Sequence, residues 1–167
     1  DNDICVLSGP THAEEVSVGI PSAVVVAGSN ITLNKKIQEL LSSSTFRVYS
    51  NTDMKGVEIS GAIKNVISIA SGMCIGLGFG DNTTAALITR GLNEIIRLGD
   101  LFGADISTFY GLAGIGDLSV TAFSKHSRNR QFGIKIGEGS SSVDSITEMG
   151  MIVEGYYTVD ALNDIIV

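Results

Sequence analysis

Cysteine is nearly missing from this chain, and with it any disulfide framework. Cys5 and Cys74 are the only two among 167 residues. Two isolated thiols read as reduced core side chains of a cytoplasmic protein. Metal-ligand spacing is missing too. His12 and His126 stand far apart, and no cysteine or carboxylate pair sits at ligand spacing, so no metal is expected. There is no Gly-x-Ser-x-Gly turn, which leaves serine hydrolysis without support. Positive charge is scarce: 11 Lys and Arg face 18 Asp and Glu, for a net −7. That balance argues against general nucleic-acid binding but permits one local anion site. The longest nearly apolar run, Val66 to Leu77, contains Ser68 and Ser71. It falls short of the roughly 20 residues that span a bilayer, so no membrane span is expected. No charged segment followed by an apolar one marks a secretion signal, and no internal repeat is visible.

What the chain does have is apolar content. Hydrophobic residues make up 44% against 17% charged, with a mean hydropathy of +0.30. Such a composition fits tightly packed helices, together with an interface to another chain or to a missing segment. The length supports one good core or two small subdomains. The chain starts at Asp1 and runs almost at once into a strand-like segment, so it reads as an excised piece.

The first third alternates strand and helix. Ile4 to Leu7 is a short β-type run ended by Ser8-Gly9-Pro10. Thr11 is placed to cap a short helix through Val16, with Glu14 completing a capping box. Gly19 and Pro21 stop it. Ala23 to Ala27 is a continuous apolar run of β-branched type, as expected for a strand covered on both faces. Leu33, Ile37, Leu40 and Leu41 recur at helical spacing over 32–41, and Phe46 to Tyr49 is a third strand. This order suggests part of an α/β sheet.

After Asn51 only helical patterns follow, with Asn51, Thr52 or Asp53 as N-cap. The boundary is placed at residues 52/53. The first helix runs to about Cys74 and presents Val57, Ile63, Val66, Ile67, Ala70 and Met73 as one stripe. A second, capped by Asp81 or Asn82, buries Leu87, Ile88, Leu92, Ile95 and Ile96 and ends at Gly99. In it Arg90 and Glu94 fall one turn apart and can pair. Ser107 to Tyr110 is a short piece that breaks at Gly111 to Leu118. Further helices are expected over 128–136, 143–149 and 158–167.

Three places could carry chemistry. Lys64 interrupts the apolar centre of the first long helix. Either its stem lies on apolar surface with the ammonium in water, or it stands in a cleft and works on a substrate oxygen. The glycines from Gly111 to Gly116 have the wrong spacing for a dinucleotide fingerprint, and no strand precedes them. They read as a helix break, with Asp117 beyond it either capping a helix or pairing with a cation. Ser124 to Arg130 combines hydroxyl, guanidinium and amide donors at a helix start. Those are the components of a phosphate site, or of a solvated basic turn with a serine cap.

Six motifs in series then carry a resemblance. They are Ser8-Gly9-Pro10-Thr11; Gly61-Ala62-Ile63-Lys64-Asn65-Val66; Gly76 to Asn82 with Ala85 to Gly91; Gly111 to Leu118; His126 to Arg130; and Val153-Glu154-Gly155. In this order they resemble the NAD(P)-dependent glycerol-3-phosphate dehydrogenase family of bacterial type, across Leu7 to Gly155. The resemblance implies a mixed fold. Residues 1–52 would be the end portion of a Rossmann-like α/β domain that binds the dinucleotide. Residues 53–167 would be a mainly α-helical substrate and catalytic domain, like the C-terminal domain of 6-phosphogluconate dehydrogenase.

The same resemblance implies roles. Lys64 is then the general acid/base at the substrate C2 oxygen, Asn65 stands beside it, and Asp117 holds Lys64 and a substrate hydroxyl. Ser127, Arg128 and Asn129 bind the phosphate, and Gly9 and Thr11 line the substrate side. Ala13, Arg128, Ile152 and Glu154 face the nucleotide, NAD or NADP. The implied substrates are dihydroxyacetone phosphate and glycerol 3-phosphate, and the implied assembly is a homodimer. Chemistry agrees independently: hydride transfer to a ketone leaves a developing alkoxide, which a nearby ammonium can stabilise and protonate. Gln131, Ile75 and His12 depart from the usual pattern without removing a catalytic residue.

Two alternatives stay open. One is a related dehydrogenase of the 6-phosphogluconate or hydroxyacyl-CoA type, against which the Ser127-Arg128-Asn129 cluster argues. The other is a non-catalytic helical dimerisation module. The family's glycine-rich first turn and last C-terminal helices are not in this sequence. The purified 167-residue chain is therefore expected not to oxidise NAD(P)H with dihydroxyacetone phosphate, and detectable oxidation would overturn that expectation.

Overall fold

The computed structural model describes residues 3–166, with side chains through 164. The readings at Asp1 and Val167 lie outside these residues. The chain divides into two compact units, Asp1–Gly61 with Glu94–Asp117, and Ala62–Asn93 with Leu118–Val167.

The first unit holds a three-stranded sheet. Strands β1 (Val6–Ser8), β2 (Ser22–Ala27) and β3 (Phe46–Asn51) lie in that order, with β1 antiparallel and β3 parallel to β2. Helix α1 (Ala13–Ser17) links β1 to β2, and α2 (Ile31–Leu41) links β2 to β3. Successive strand side chains point to opposite faces, and β2 is valine on both. Val24 and Val26 pack with Val48, Cys5, Ile37 and Phe46 on one face. Val25 and Ala27 pack with Val57, Ala113, Val6 and Leu112 on the other. Each fully buried valine contributes about 1.5–3 kcal/mol relative to exposure. Asn34 is fully buried, and its amide donates to the carbonyls of Gly28 and Asn51, both at 2.8 Å, which ties β2 to β3.

Helices fill the rest: α3 (Met54–Gly76), α4 (Asp81–Leu101) and α5 (Ile106–Phe109), a π-helical turn over Leu112–Gly116, then α6 (Asp117–Phe123), α7 (Arg128–Gly137), α8 (Ser142–Met149) and α9 (Glu154–Ile166). Asp53 starts α3 as expected, accepting from Gly56 N at 3.0 Å. Its other oxygen accepts from Asp105 N and the Thr108 hydroxyl. Asp105 in turn caps α5, and the Ser107 backbone N–H holds its carboxyl below the usual 3.8.

Several expectations are corrected. Thr11 does not cap α1: its hydroxyl donates to the Gly9 carbonyl at 3.2 Å, and His12 stands at the cap position. Glu94 pairs with Arg97 at 2.9 Å rather than with Arg90. Helix α4 runs past Gly99 to Leu101, and the glycine serves packing instead: the Phe109 ring lies where its Cβ would be. Helix α6 was not expected, and α9 starts at Glu154 instead of Thr158. On α3 the deepest side chains include Ser60, Asn65, Ser68 and Ser71, whereas Val66, Ile67, Ala70 and Met73 are only half-buried. Small polar residues pack closest to neighbouring backbone, and the apolar stripe alone does not show this.

The second unit is built on a close contact between α3 and α7. A Cβ at Gly133 would meet the Ile69 carbonyl, and one at Gly137 would meet the Met73 carbonyl. A Cβ at Gly72 or Gly76 would strike the Arg130 or Ile134 carbonyl. The pairs Ile69–Gly133 and Met73–Gly137 step one turn at a time in the same direction, so the two helices run parallel. Beside this seam Ile69, Phe132 and Val153 form a core with Met73, Ile136, Ile146, Met149 and Tyr156.

By length and composition α3, with 23 residues and a stretch of mean hydropathy 1.3, could cross a bilayer. It exceeds the run counted from Val66. Its serines, however, bond to α6, and its glycines meet α7 backbone. That is the packing of a core helix. Gly133→Ala should lower stability by about 1–3 kcal/mol, the scale of overpacking. Gly80→Ala, with no atom near the added Cβ, should cost at most about 1 kcal/mol, the scale of a weakened N-cap at the start of α4. Chemical denaturation of both variants checks this.

Candidate functional site

Residues of α3, α7 and α9 meet in a single chain of hydrogen bonds in the second unit. The Gly155 backbone N–H donates to Asn129 Oδ1 at 2.9 Å. Asn129 Nδ2 donates to Asn65 Oδ1 at 3.0 Å, and Asn65 Nδ2 donates to Glu154 Oε2 at 3.1 Å. Glu154 Oε1 lies 3.5 Å from Arg128 Nη2. The chain begins at an obligate donor and ends at an acceptor-only carboxylate. Both amides therefore have one allowed orientation.

Local sequence explains how these side chains arrive. Asn65–Asn129 continues the register of Ile69–Gly133 one turn earlier, so the glycine seam sets the amide pair. Gly155 has to be glycine, since a Cβ there would lie 2.8 Å from the Asn65 backbone. Asn65 and Asn129 are buried at 4% and 7% exposure, while Arg128 and Glu154 stand at the rim with their charged ends open. A rim of one guanidinium and one carboxylate can bind a phosphate and accept from hydroxyls.

A second set of bonds shapes the start of α7. Ser68 on α3 is fully buried, donates to the Thr121 carbonyl at 2.8 Å and lies 3.1 Å from the Ser127 hydroxyl. With its proton given to Thr121, Ser68 must accept from Ser127. Ser127 also caps α7 by accepting from Arg130 N at 3.3 Å. Ser71 donates to the Ala122 carbonyl at 3.1 Å. The last turn of α6 and the first of α7 are thus fixed to α3. The Ser127 hydroxyl is turned inward, and the first-turn N–H groups of Arg128 and Asn129 lie ahead of intrahelical bonding.

In the first unit, Asp117 is 2% exposed and accepts from the Ser8 hydroxyl at 3.2 Å. It follows the π-helical turn at the head of α6, where a Cβ at Gly114 would meet the Phe109 carbonyl. This glycine run is a break at close backbone packing, as the sequence indicated. Gly9 is buried, with φ of 155°, and a Cβ there would lie 2.9 Å from the Ala23 carbonyl and Val24 Cα. Thr11 is half-buried, and Ala13 is exposed on α1.

Lys64 belongs to the second unit and is half-buried on α3. Ile152 is 65% exposed and, being apolar, adds nothing to the amide chain. Among the described residues no group of three or more His, Cys, Asp or Glu could hold a metal ion. Ser68, Ser71 and the seam glycines Gly72, Gly133 and Gly137 were not singled out from the sequence. Their signals were a serine repeated three residues on in α3 and glycines spaced four apart in both α3 and α7.

Asn129→Asp tests the amide chain. It places an acceptor against Asn65 Oδ1, and flipping Asn65 only moves the mismatch to Glu154. The expected loss is about 1–3 kcal/mol of stability, the cost of an unmatched buried group, measured by denaturant unfolding.

The chain matches two family models. Residues 53–167 match the NAD-dependent glycerol-3-phosphate dehydrogenase C-terminus, and residues 1–34 match the N-terminus of the same family. A glycerol-3-phosphate dehydrogenase [NAD(P)+] from Halothermothrix orenii is 56% identical over 164 residues, covering 98% of this chain and 48% of that protein. One from Carboxydothermus hydrogenoformans is 58% identical over 156 residues, covering 93% and 46%. The crystal structure of a glycerol-3-phosphate dehydrogenase from Coxiella burnetii superposes with a TM-score of 0.95 at 44% identity, over 98% of this chain and 50% of that one. The yeast enzyme from Saccharomyces cerevisiae gives 0.82 at 30% identity, over 91% and 47%. The chain spans about half the length of the curated relatives it matches. Its fold, a small Rossmann-like sheet region followed by a mostly helical part, is theirs. The chain belongs to the NAD-dependent glycerol-3-phosphate dehydrogenase family.

Proposed function

We propose that this chain carries the substrate and catalytic part of an NAD(P)-dependent glycerol-3-phosphate dehydrogenase. The reaction is the reversible reduction of dihydroxyacetone phosphate to sn-glycerol 3-phosphate, which supplies glycerophospholipid synthesis. The observation that carries this reading is the amide chain joining Asn65, neighbour of Lys64, to Arg128 and Glu154. It links a proton donor's helix to an anion-binding rim. The family match favours this reading over the 6-phosphogluconate or hydroxyacyl-CoA alternative, and over a helical module without catalysis.

In this reading residues 1–52 belong to the dinucleotide domain and 53–167 to the substrate domain. Lys64, as an ammonium, donates its proton to the C2 oxygen as the carbonyl carbon is reduced, and takes it back in the reverse direction. Asn65 is held beside it in one orientation. Asp117, held by the Ser8 hydroxyl, is the acid of this reading that serves a substrate hydroxyl. Gly9 and Thr11 line the substrate side.

The phosphate is bound by the Arg128 guanidinium, the Asn129 amide and the N–H groups at the start of α7. Ser127 contributes chiefly by capping that helix, since its hydroxyl faces Ser68. When bound, reduced nicotinamide supplies the hydride. Arg128 and Glu154 fit such a group, because a guanidinium suits its phosphates and a carboxylate its ribose hydroxyls. Ala13 and Ile152 complete that side. A cytoplasmic homodimer belongs to the same reading, supported by the two free thiols and by exposed apolar side chains such as Leu40 and Leu101.

Lys64→Ala in the complete protein is the test. Turnover should fall by about 10²–10⁴, the usual scale for losing a general acid/base, with the circular dichroism spectrum unchanged. Unaltered kcat would leave Lys64 a structural residue and sink the reading.

A further inference from the structure

The rim contains one ion pair that works against the role given to it. Arg128 is the guanidinium proposed for an anionic ligand, yet it already faces a carboxylate, Glu154, at 3.5 Å. That separation is beyond good hydrogen-bond range. Both side chains are open to water, at 43% and 56% exposure. The pair is weak and easily parted.

Glu154 is otherwise tied in place. Its second oxygen accepts from Asn65, Asn65 is fixed by Asn129, and Asn129 is fixed by the Gly155 N–H. The carboxylate also lies in the first turn of α9, where the helix dipole favours negative charge. One oxygen is therefore anchored while the other is presented to the guanidinium. Arg128 is the partner that can leave.

We propose that Glu154 is a tethered competitor for Arg128, a built-in counter-ion that a phosphate-bearing ligand displaces, and that it limits how tightly the site holds phosphate. This rests on the phosphate role of Arg128 proposed above. Before a ligand binds, the carboxylate neutralises the guanidinium. Once phosphate takes the bidentate face of Arg128, the carboxylate remains nearby as a like charge and opposes the complex. Both effects weaken phosphate binding, and both depend on the charge of Glu154 rather than on its hydrogen bond to Asn65. Glutamine separates the two, because its amide oxygen still accepts from Asn65 while the charge is gone.

The experiment measures competitive inhibition by inorganic phosphate against the triose phosphate, in the complete protein at low salt. Wild type is compared with Glu154→Gln and Arg128→Ala. Glu154→Gln should bind phosphate about two- to five-fold more tightly, the scale of an exposed ion pair. The gain should shrink as added salt screens the charge. Arg128→Ala should weaken phosphate about ten-fold or more, the scale of a hydrogen bond to a charged group. Unchanged or weaker binding in Glu154→Gln, with Arg128→Ala impaired, overturns the competitor and leaves the phosphate site standing. Unaltered phosphate inhibition in Arg128→Ala removes both. Thermal unfolding of Glu154→Gln close to wild type shows that the tether to Asn65 persists.

Discussion

Backbone lies against backbone where α3 meets α7, and the other features of the second unit follow from that proximity. Two helices carrying ordinary side chains keep their axes 8–10 Å apart. Glycines spaced one turn apart on each helix let these two come closer, with carbonyls where Cβ atoms would otherwise be. Only then can short amides such as Asn65 and Asn129 reach across, and only then can Ser68 cap and carry the turn between α6 and α7. A larger residue at Gly133 would move an asparagine out of register as well as fill space.

The polar network survives burial because every link has a complement. A buried amide left unmatched is costly, whereas a matched one specifies a single arrangement. Here the ends of the chain decide the middle: a backbone N–H at Gly155 and a carboxylate at Glu154 leave the two asparagines no choice of orientation. Preorganisation of this kind is what a reacting centre needs, since groups that must reorient during reaction contribute less to the transition state. The first unit reaches the same end by another route. Asn34 and Asp53 are polar ties that join strands and helices from inside, and Ser8 holds the nearly buried Asp117.

Much of this was legible before any coordinates. The valine run of β2 reads as a strand covered on both faces, and it is one. The periodicity of α2 and the serine before α7 mark their helices closely. The errors cluster where tertiary contacts overrule local preference. Gly99 looks like a helix stop but stays helical against Phe109. Helix α6 has little periodicity of its own and is held by Ser68 and Ser71 on its last carbonyls. Gly155 discourages a helical reading of the start of α9, yet it is there because the Asn65 backbone leaves no room for a side chain.

Sequence alone determined the family, the order of the strands and of most helices, and the identity of Asn65, Arg128, Asn129 and Glu154 at the candidate site, because motifs and periodicities are local. Tertiary structure decided what those groups do to each other. It turned Ser127 inward as a cap, set Glu154 between Asn65 and Arg128, and revealed glycines whose purpose is the room they leave. Such roles depend on distances between residues far apart in the chain, and no local pattern encodes a distance.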